Sequence, residues 1–482
     1  MLSELPNFIP AVPEMFVLFM ALVILLTGVF IKKRHQIPYY LVQLTLIMVA
    51  GLTWYMFTYP DFLGASFTFH HMFVLDRFSV YLKLFIYLSV FFVFIYAREY
   101  NDERKIPYTE FYVLGLLSML GMMVLVSSSN LLTVFLGLEL LSLPTYAMAP
   151  LYRNKTRSAE AGMKYFVIGA IASGMLLYGM SMIFGATQSL DLIEIAKAVS
   201  ATTLHQNLIL VFGLVFIVAG VAFKLGAAPF HMWVPDVYEG APSSVTLFIS
   251  TAPKIATYAM VIQLLIRGMP ALYAQWHQML IVVAILSMGI GNFAAIVQSN
   301  IKRMLAYSSI AHMGYVLLGV LCGTRNGYAA AMFYTITYSL MSLGAFGMVV
   351  LMSRGEFEAE NINDFAGLNS RNPWLAFMML LILFSLAGVP PLVGFIAKVG
   401  ILDALIQVHL VWLAVLAVLF AIVGAYYYIR VVKVMYFESA PPQLKPIRYS
   451  LEMKIGISLN GLAVLFIGIF PSWLYTLSHL AF

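Results

Sequence analysis

Residues 207–235 read NLILVFGLVFIVAGVAFKLGAAPFHMWVP. An uninterrupted apolar run of this length is the signature of a membrane-spanning helix. Two features do not belong in an ordinary one. A single charge, Lys224, lies deep in the run, and two residues later comes Gly226-Ala227-Ala228-Pro229. Proline removes a backbone donor and clashes with the preceding turn, so the helix must break there. A second such interruption, Gly388-Val389-Pro390-Pro391-Leu392-Val393-Gly394, divides the apolar stretch 373–408, which is too long for one straight crossing. Counted along the chain, the two broken segments are the seventh and the twelfth. An odd separation means that equivalent helices cross in opposite directions, as an inverted repeat requires.

Working outward, further apolar stretches near 20 residues fall at about 11–31, 39–59, 72–97, 108–127, 130–149, 162–185, 243–266, 277–297, 304–322, 328–352, 410–436 and 453–476. The chain is therefore an all-α polytopic membrane protein of about 14 transmembrane helices, with two inverted repeats and broken helices 7 and 12. The expected organisation is one membrane domain over 1–482. Its parts are three N-terminal helices (1–107), a first repeat of helices 4–8 (108–270), a second repeat of helices 9–13 (271–440) and helix 14 (441–482).

Composition agrees. Of 482 residues, 62% are hydrophobic and 10% charged, and mean hydropathy is +0.92. A soluble chain is about 25% charged, so cytosolic enzymes, disulfide scaffolds and disordered proteins are excluded. The one cysteine, Cys322, permits neither an internal disulfide nor a thiolate-held cluster. The start Met1-Leu2-Ser3-Glu4 has no basic region, so no removable signal peptide is expected. The net charge of +6 does not point to nucleic acid, because no basic run exceeds Lys32-Lys33-Arg34. It points to topology. With the N-terminus outside, the inner loops hold Lys32, Lys33, Arg34, Arg98, Arg104, Lys105, Arg153, Lys155, Arg157, Lys302, Arg303, Arg354, Arg371, Arg430, Lys433, Lys445, Arg448 and Lys454. The outer loops hold Arg77, Lys197, Arg267 and Arg325. Basic loops stay inside, and an even helix count leaves both termini outside.

The chemistry lies in the few ionisable groups at membrane depth. Glu139, Lys224 and Lys254 fall mid-span, and Lys398 follows the second break. Each costs on the order of 2.5–3.5 kcal/mol there, so pairing or internal water must compensate. Lysine titrates readily once desolvated, whereas arginine is the better permanent ion-pair partner; buried lysines therefore suit a proton-carrying switch. Glu139 precedes Pro144, Lys224 precedes the first break, Lys254 follows Pro253 and Lys398 follows the second break. Hydrated backbone can serve such positions. His231 and His312, which titrate near neutral pH, and the hydroxyls of Tyr307, Ser308 and Ser309 could extend the path. Glu110 reads as a solvated helix start, and Asp76 with Lys83 as a structural pair in the third span. Trp54, Trp276, Trp374 and Trp473, near helix ends, read as interfacial anchors. Gly289-Ile290-Gly291-Asn292-Phe293-Ala294 imitates a nucleotide-binding loop but lies inside an apolar span with no strand before it. No phosphate-cradling loop, metal cluster or haem ligand pair is evident.

Phe223 to Pro242 (FKLGAAPFHMWVPDVYEGAP), Asn300 to Tyr315 (NIKRMLAYSSIAHMGY) and Ser385 to Pro391 (SLAGVPP) with Gly394-Phe395 resemble the hallmarks of the antiporter-like membrane subunits of respiratory complex I, the NADH:quinone oxidoreductase. The family includes subunits of Mrp sodium/proton antiporters. The resemblance covers the chain from about the fourth span onward. Lys398, and a chain that stops soon after the last span, set it apart from family members with a glutamate there or a long C-terminal lateral helix. The resemblance implies roles. Glu139 pairs with Lys224 and tunes its proton affinity, Lys254 relays protons across the centre, and Lys398 exchanges them with the far half-channel. His231 and His312 match positions on the hydrated axis. It implies a proton-translocating subunit, coupled to electron transfer from NADH to quinone, in the bacterial inner membrane beside other membrane subunits of the complex. FMN, iron–sulfur clusters, NADH and quinone would belong to partner subunits, with no cofactor in this chain. The alternatives are an Mrp-type cation/proton antiporter subunit and a non-translocating membrane scaffold.

Overall fold

Prolines, glycines and asparagine caps mark where the helices of the computed structural model begin and end. It describes residues 6–30, 36–58, 65–152, 154–201, 208–355, 357–440 and 449–482. The inner-loop charges Lys32, Lys33, Arg34, Arg153, Lys445 and Arg448 lie outside the described residues. The N-terminal unit is α1 (Val12–Phe30), α2 (Ile37–Thr58) and α3 (Arg77–Glu103), with a small hairpin of β1 (Ser66–Thr68) and β2 (Phe73–Leu75) between α2 and α3. Phe67 stands opposite Val74 in that hairpin.

Then follow α4 (Tyr108–Val126), α5 (Leu131–Met148), α6 (Thr156–Thr187), a short amphipathic α7 (Leu192–Ala201), α8 (Leu208–Leu225), α9 (Trp233–Gly240), α10 (Ser243–Ile249) and α11 (Ala252–Val261). The second half is α12 (Tyr273–Ile296), α13 (Ile301–Leu321), α14 (Arg325–Met352), α15 (Leu368–Arg371), α16 (Pro373–Ala387), α17 (Val393–Gln407) and α18 (Val411–Phe437). The chain finishes with α19 (Leu451–Ile469) and α20 (Ser472–Leu480). Among the described residues, 13 helices are long and apolar enough to cross a membrane, and the shorter Pro373–Ala387 is also apolar. That shorter helix and α17 together make the expected twelfth, broken crossing.

The two halves are built alike. Asn130 caps α5 through the Leu132 N–H and Asn300 caps α13 through the Arg303 N–H, each satisfying a donor that the helix start leaves free. Each asparagine also forms an antiparallel bridge, to Asp191 and to Asn361, the same number of residues further on. Within each half the paired helices meet on small residues. A Cβ on Gly121 would lie 2.2 Å from the Leu141 nitrogen, and one on Gly291 would lie 2.6 Å from the Ala311 nitrogen. Lipid offers no hydrophobic drive for helix association, and close backbone approach supplies dispersion contact instead.

Three features were not expected. The eighth crossing, Ser243–Arg267, is itself interrupted at Ser250-Thr251, restarts with Pro253 in its first turn, and ends in a π-helical stretch. The last crossing stops at Ile469, because Pro471 starts a separate α20. Trp276 is buried, its indole donating to the Met269 carbonyl at 3.1 Å, so it is not an interfacial anchor. Trp54, Trp374 and Trp473 are exposed as expected. The core lies in the crossings Ser243–Arg267, Ile301–Leu321 and Arg325–Met352, whose apolar windows are 100%, 94% and 94% buried. Lys254 and Lys302, which lie on these crossings, are buried.

Candidate functional site

Each proline in a break orphans one particular carbonyl, that of the residue four positions earlier. For Pro229 this is Leu225, and for Pro390 and Pro391 these are Leu386 and Ala387. The structure gives those oxygens to the buried lysines. Lys254, from the first turn of α11, donates to Leu225 O at 2.7 Å. Lys398, from α17, donates to Leu386 O at 3.1 Å and Ala387 O at 2.8 Å. Gly226 (φ 76°) and Gly388 (φ 90°) turn the chain at the two breaks through the left-handed region, where a side chain is strained. They also leave room for the ammonium groups. A Cβ on Gly226 would come within 3.4 Å of Lys254 Nζ, and one on Gly388 within 3.0 Å of Lys398 Nζ.

Lys224, in the last turn of α8, is held differently. Its ammonium donates to Ser142 Oγ and Tyr146 OH on α5, both at 2.9 Å. No salt bridge joins it to Glu139. That carboxylate lies near enough to act on Lys224 through space, while its Oε1 is buried with no hydrogen-bond partner. The expected pair is thus separated, with α5 hydroxyls occupying the ammonium. Lys254 thus binds the carbonyl of the residue that follows Lys224 in the chain.

His312 sits on the buried α13. Its Nδ1 lies 2.7 Å from Tyr334 OH and its Nε2 3.1 Å from Tyr428 OH. Tyr428 is hydrogen-bonded to Ser308, and Tyr427 OH donates to Asn292 Oδ1 at 3.1 Å. Tyr334 stacks on Tyr315 at 5.8 Å between centroids, and Lys398 Nζ lies 5.5 Å from the Tyr315 ring centre. In the second half, His312 and Lys398 are thus joined by the packed rings of Tyr334 and Tyr315. His231 is not in this line. It lies half-buried between the exposed Pro229 and Met232, with Nδ1 unpartnered.

Sequence reasoning missed Ser142, Tyr146, Tyr315, Tyr334 and Tyr428. The available signal was 28 tyrosines in so apolar a chain, since a buried phenol needs a partner for its hydroxyl. Two secondary expectations also change. Lys83 does not pair with Asp76. Seven residues along a helix is about 10.5 Å, and Asp76 is engaged in capping α3 through Ser79 and in binding Arg267 at 2.7 Å. Lys83 instead meets Glu14 of α1 at 2.6 Å, with both side chains buried. Glu110 is exposed in the first turn of α4, and Cys322 is buried and free. Among the described residues, no group of three or more metal-ligating side chains occurs.

Broken helices carrying lysines on their orphaned carbonyls, inside two inverted halves, define an antiporter-like membrane subunit. The family model described as NADH:quinone oxidoreductase/Mrp antiporter, TM, matches residues 128–424. NADH-quinone oxidoreductase subunit N of Coxiella burnetii (strain RSA 493 / Nine Mile phase I) is 93% identical over 480 residues, covering 100% of each chain. A chain of respiratory complex I from Thermus thermophilus with bound aureothin superposes with a TM-score of 0.81 at 28% identity, covering 96% of this chain and 98% of that one. A chain of the Mrp complex from Dietzia sp. DQ12-45-1b shares the fold, with a TM-score of 0.80 at 20% identity over 98% and 97% of the two chains. The chain belongs to the NADH-quinone oxidoreductase subunit N family.

Proposed function

We propose that this chain is the proton-translocating subunit N of a bacterial NADH:quinone oxidoreductase. In this reading Lys224, Lys254 and Lys398 are the proton-carrying groups, Glu139 biases the first of them and His312 relays toward the last. The observation that carries the reading is the nature of the lysines' partners. Among the described residues, all three ammonium groups are held by hydroxyl or carbonyl oxygens, and none forms a salt bridge with a carboxylate. A scaffold built from ion pairs would place a carboxylate on each lysine, as Glu14 is placed on Lys83. A neutral acceptor binds a neutral amine as well as an ammonium, so the proton can leave while one hydrogen bond stays.

The steps follow from that arrangement. A negative charge at Glu139 would act on the Lys224 ammonium through space. When a charge on a neighbouring subunit draws Glu139 away or neutralises it, Lys224 gives up its proton toward the Lys254 amine. Arrival of charge on Lys254 favours release further along, through His312 and its phenols to Lys398. Electron transfer, with NADH, FMN, iron–sulfur clusters and quinone, belongs to companion subunits, and the complex as a whole is the translocase. The excess of Lys and Arg in alternate loops supports an orientation with both termini on the periplasmic side of the inner membrane, and other complex I membrane subunits flank the chain.

The test is NADH-driven proton uptake by membrane vesicles carrying Glu139→Gln or Lys254→Met. Assembled complexes with either substitution should lose coupled pumping, and the pumping of the parent should be independent of sodium. Parent-level pumping in both variants would refute the reading. A strict sodium requirement would favour the cation-antiporter alternative.

A further inference from the structure

Where α12 and α18 end, on the side of the basic loops, they and residues 361–363 enclose a cavity of about 630 Å³. Small-molecule sites span about 300–1,000 Å³. The lining has two characters. Val297, Tyr426 and Ile429 are apolar or aromatic and exposed. Ser299, Asn363, Arg430 and Lys433 are polar or cationic. Backbone ties the walls together, the Ile362 N–H donating to Ser299 O at 3.0 Å. Arg430 is fixed in place, because its guanidinium binds the last carbonyls of α12, Ile296 O at 2.7 Å and Gln298 O.

The charge on this lining is unbalanced. Arg98, Arg104, Arg303 and Arg354, at the same face, each bind a carboxylate. Among the described residues, Arg430 binds carbonyls only and the exposed Lys433 forms no ion pair, while Glu438 is the one acid on the lining. Three residues apart, the two cations share a face of α18. Such a site suits an anion, and what adjoins it suits an anion with a hydrocarbon tail. Two exposed apolar stripes run up to the cavity, Ile290, Phe293 and Val297 on α12 and Ile422, Tyr426 and Ile429 on α18. Spacings of three and four keep each stripe on one side of its helix. The helices pack together beside them, Phe293 meeting Phe420 edge-on at 6.2 Å. The α18 stripe continues to the exposed Val415, about 21 Å of helix from Ile429. That exceeds half of the hydrocarbon core, which is about 30 Å thick, so an acyl chain from one leaflet finds apolar surface along its whole length. Tyr426 stands where aromatic residues meet the headgroup level.

We propose that this cavity binds the headgroup of an anionic phospholipid from the leaflet on the side of the basic loops. The phosphate lies against Lys433 and Arg430, and the acyl chains follow the α12 and α18 stripes. Basic pockets between helices at a membrane face suit such headgroups. Ser299 and Asn363 supply donors for the remaining phosphate and glycerol oxygens. The bound lipid braces α18 against α12. On its buried side α18 carries Tyr427, which binds Asn292 of α12, and Tyr428, which binds Ser308 and His312 of α13. The site stands whether or not the chain moves protons.

The test uses the assembled complex in phosphatidylcholine vesicles containing a trace of photoactivatable lipid. The probe is phosphatidylglycerol or phosphatidylcholine with the same diazirine on an acyl chain, and cross-linked peptides are mapped by mass spectrometry. The anionic probe should mark residues 290–297 and 422–429 several-fold more than the zwitterionic one. Lys433→Gln should remove most of that preference, and Lys433→Arg, which keeps the charge, should retain it. Equal marking by the two probes, or an unchanged preference in Lys433→Gln, overturns the site. Loss of the mark on adding millimolar inorganic phosphate also overturns it, by making the cavity a soluble-anion site. Absence of marking on both helices overturns it as well, since a companion subunit then covers them.

Discussion

Replacing Lys398 separates proton release from mechanical support, because the structure assigns the residue both tasks. Its ammonium caps the two carbonyls orphaned by Pro390 and Pro391, at 3.1 and 2.8 Å. In Lys398→Met both oxygens, on the buried Leu386 and Ala387, lose their donor. Each unsatisfied buried acceptor costs about 1–3 kcal/mol, so the second break should be destabilised by roughly 2–6 kcal/mol. In Lys398→Arg the guanidinium has donors enough for both carbonyls, so the local structure should survive within about 1 kcal/mol. Function should not follow stability. With a pKa above about 12, arginine never releases its proton, so Lys398→Arg complexes should assemble yet fail to pump. The assay is NADH-driven acidification of inverted membrane vesicles per assembled complex, alongside thermal dissociation of the purified complex. Parent-level pumping by the arginine variant would refute proton release at this site and leave Lys398 a structural cap. An unaltered thermal midpoint in the methionine variant would refute the capping argument.

Three further outcomes are expected. Lys83→Met strands the buried Glu14 carboxylate and should cost about 3–5 kcal/mol, whereas Lys83→Met with Glu14→Leu should recover most of it; non-additivity in thermal dissociation is the measurement. An impermeant thiol reagent applied from the periplasmic side should label a cysteine at the exposed Arg325 and spare one at the exposed Lys155, with reversed labelling overturning the orientation. Glu358, in the loop after α14, meets opposing influences. Burial pushes its carboxyl up, but Lys302 and Arg104, with hydrogen bonds from Ser243 and Tyr100, outweigh burial and hold it below the ordinary carboxylate range. A depressed carboxyl stabilises the docked loop at pH values above the unfolded pKa of about 4.3, and that stability is lost as pH falls through the folded value. Hydrogen exchange across residues 357–361 should therefore accelerate on acidification below that range, and Glu358→Gln should remove the acid dependence.

Much of this molecule is legible along the chain, for local reasons. Apolar run length reports bilayer thickness, so the crossings could be counted from residues alone. Gly226 to Pro229 and Gly388 to Pro391 announce breaks because proline's effect reaches only four residues back. The expense of ionisable groups in lipid singled out Glu139, Lys224, Lys254 and Lys398. The partners of those groups were decided only by tertiary structure. Ser142 and Tyr146 hold Lys224 from another helix, and Glu14 reaches Lys83 from α1. Tyr334 and Tyr428 converge on His312 from helices far apart in sequence. A soluble helix shows its buried face through alternating polarity, but a membrane helix is apolar toward both core and lipid. The windows of Ile301–Leu321 and Val411–Phe437 are both strongly apolar, yet 94% of one and 33% of the other is buried. Without that alternation, periodicity cannot tell which side of a helix meets its neighbours, and the face given to each lysine follows from how the two halves pack.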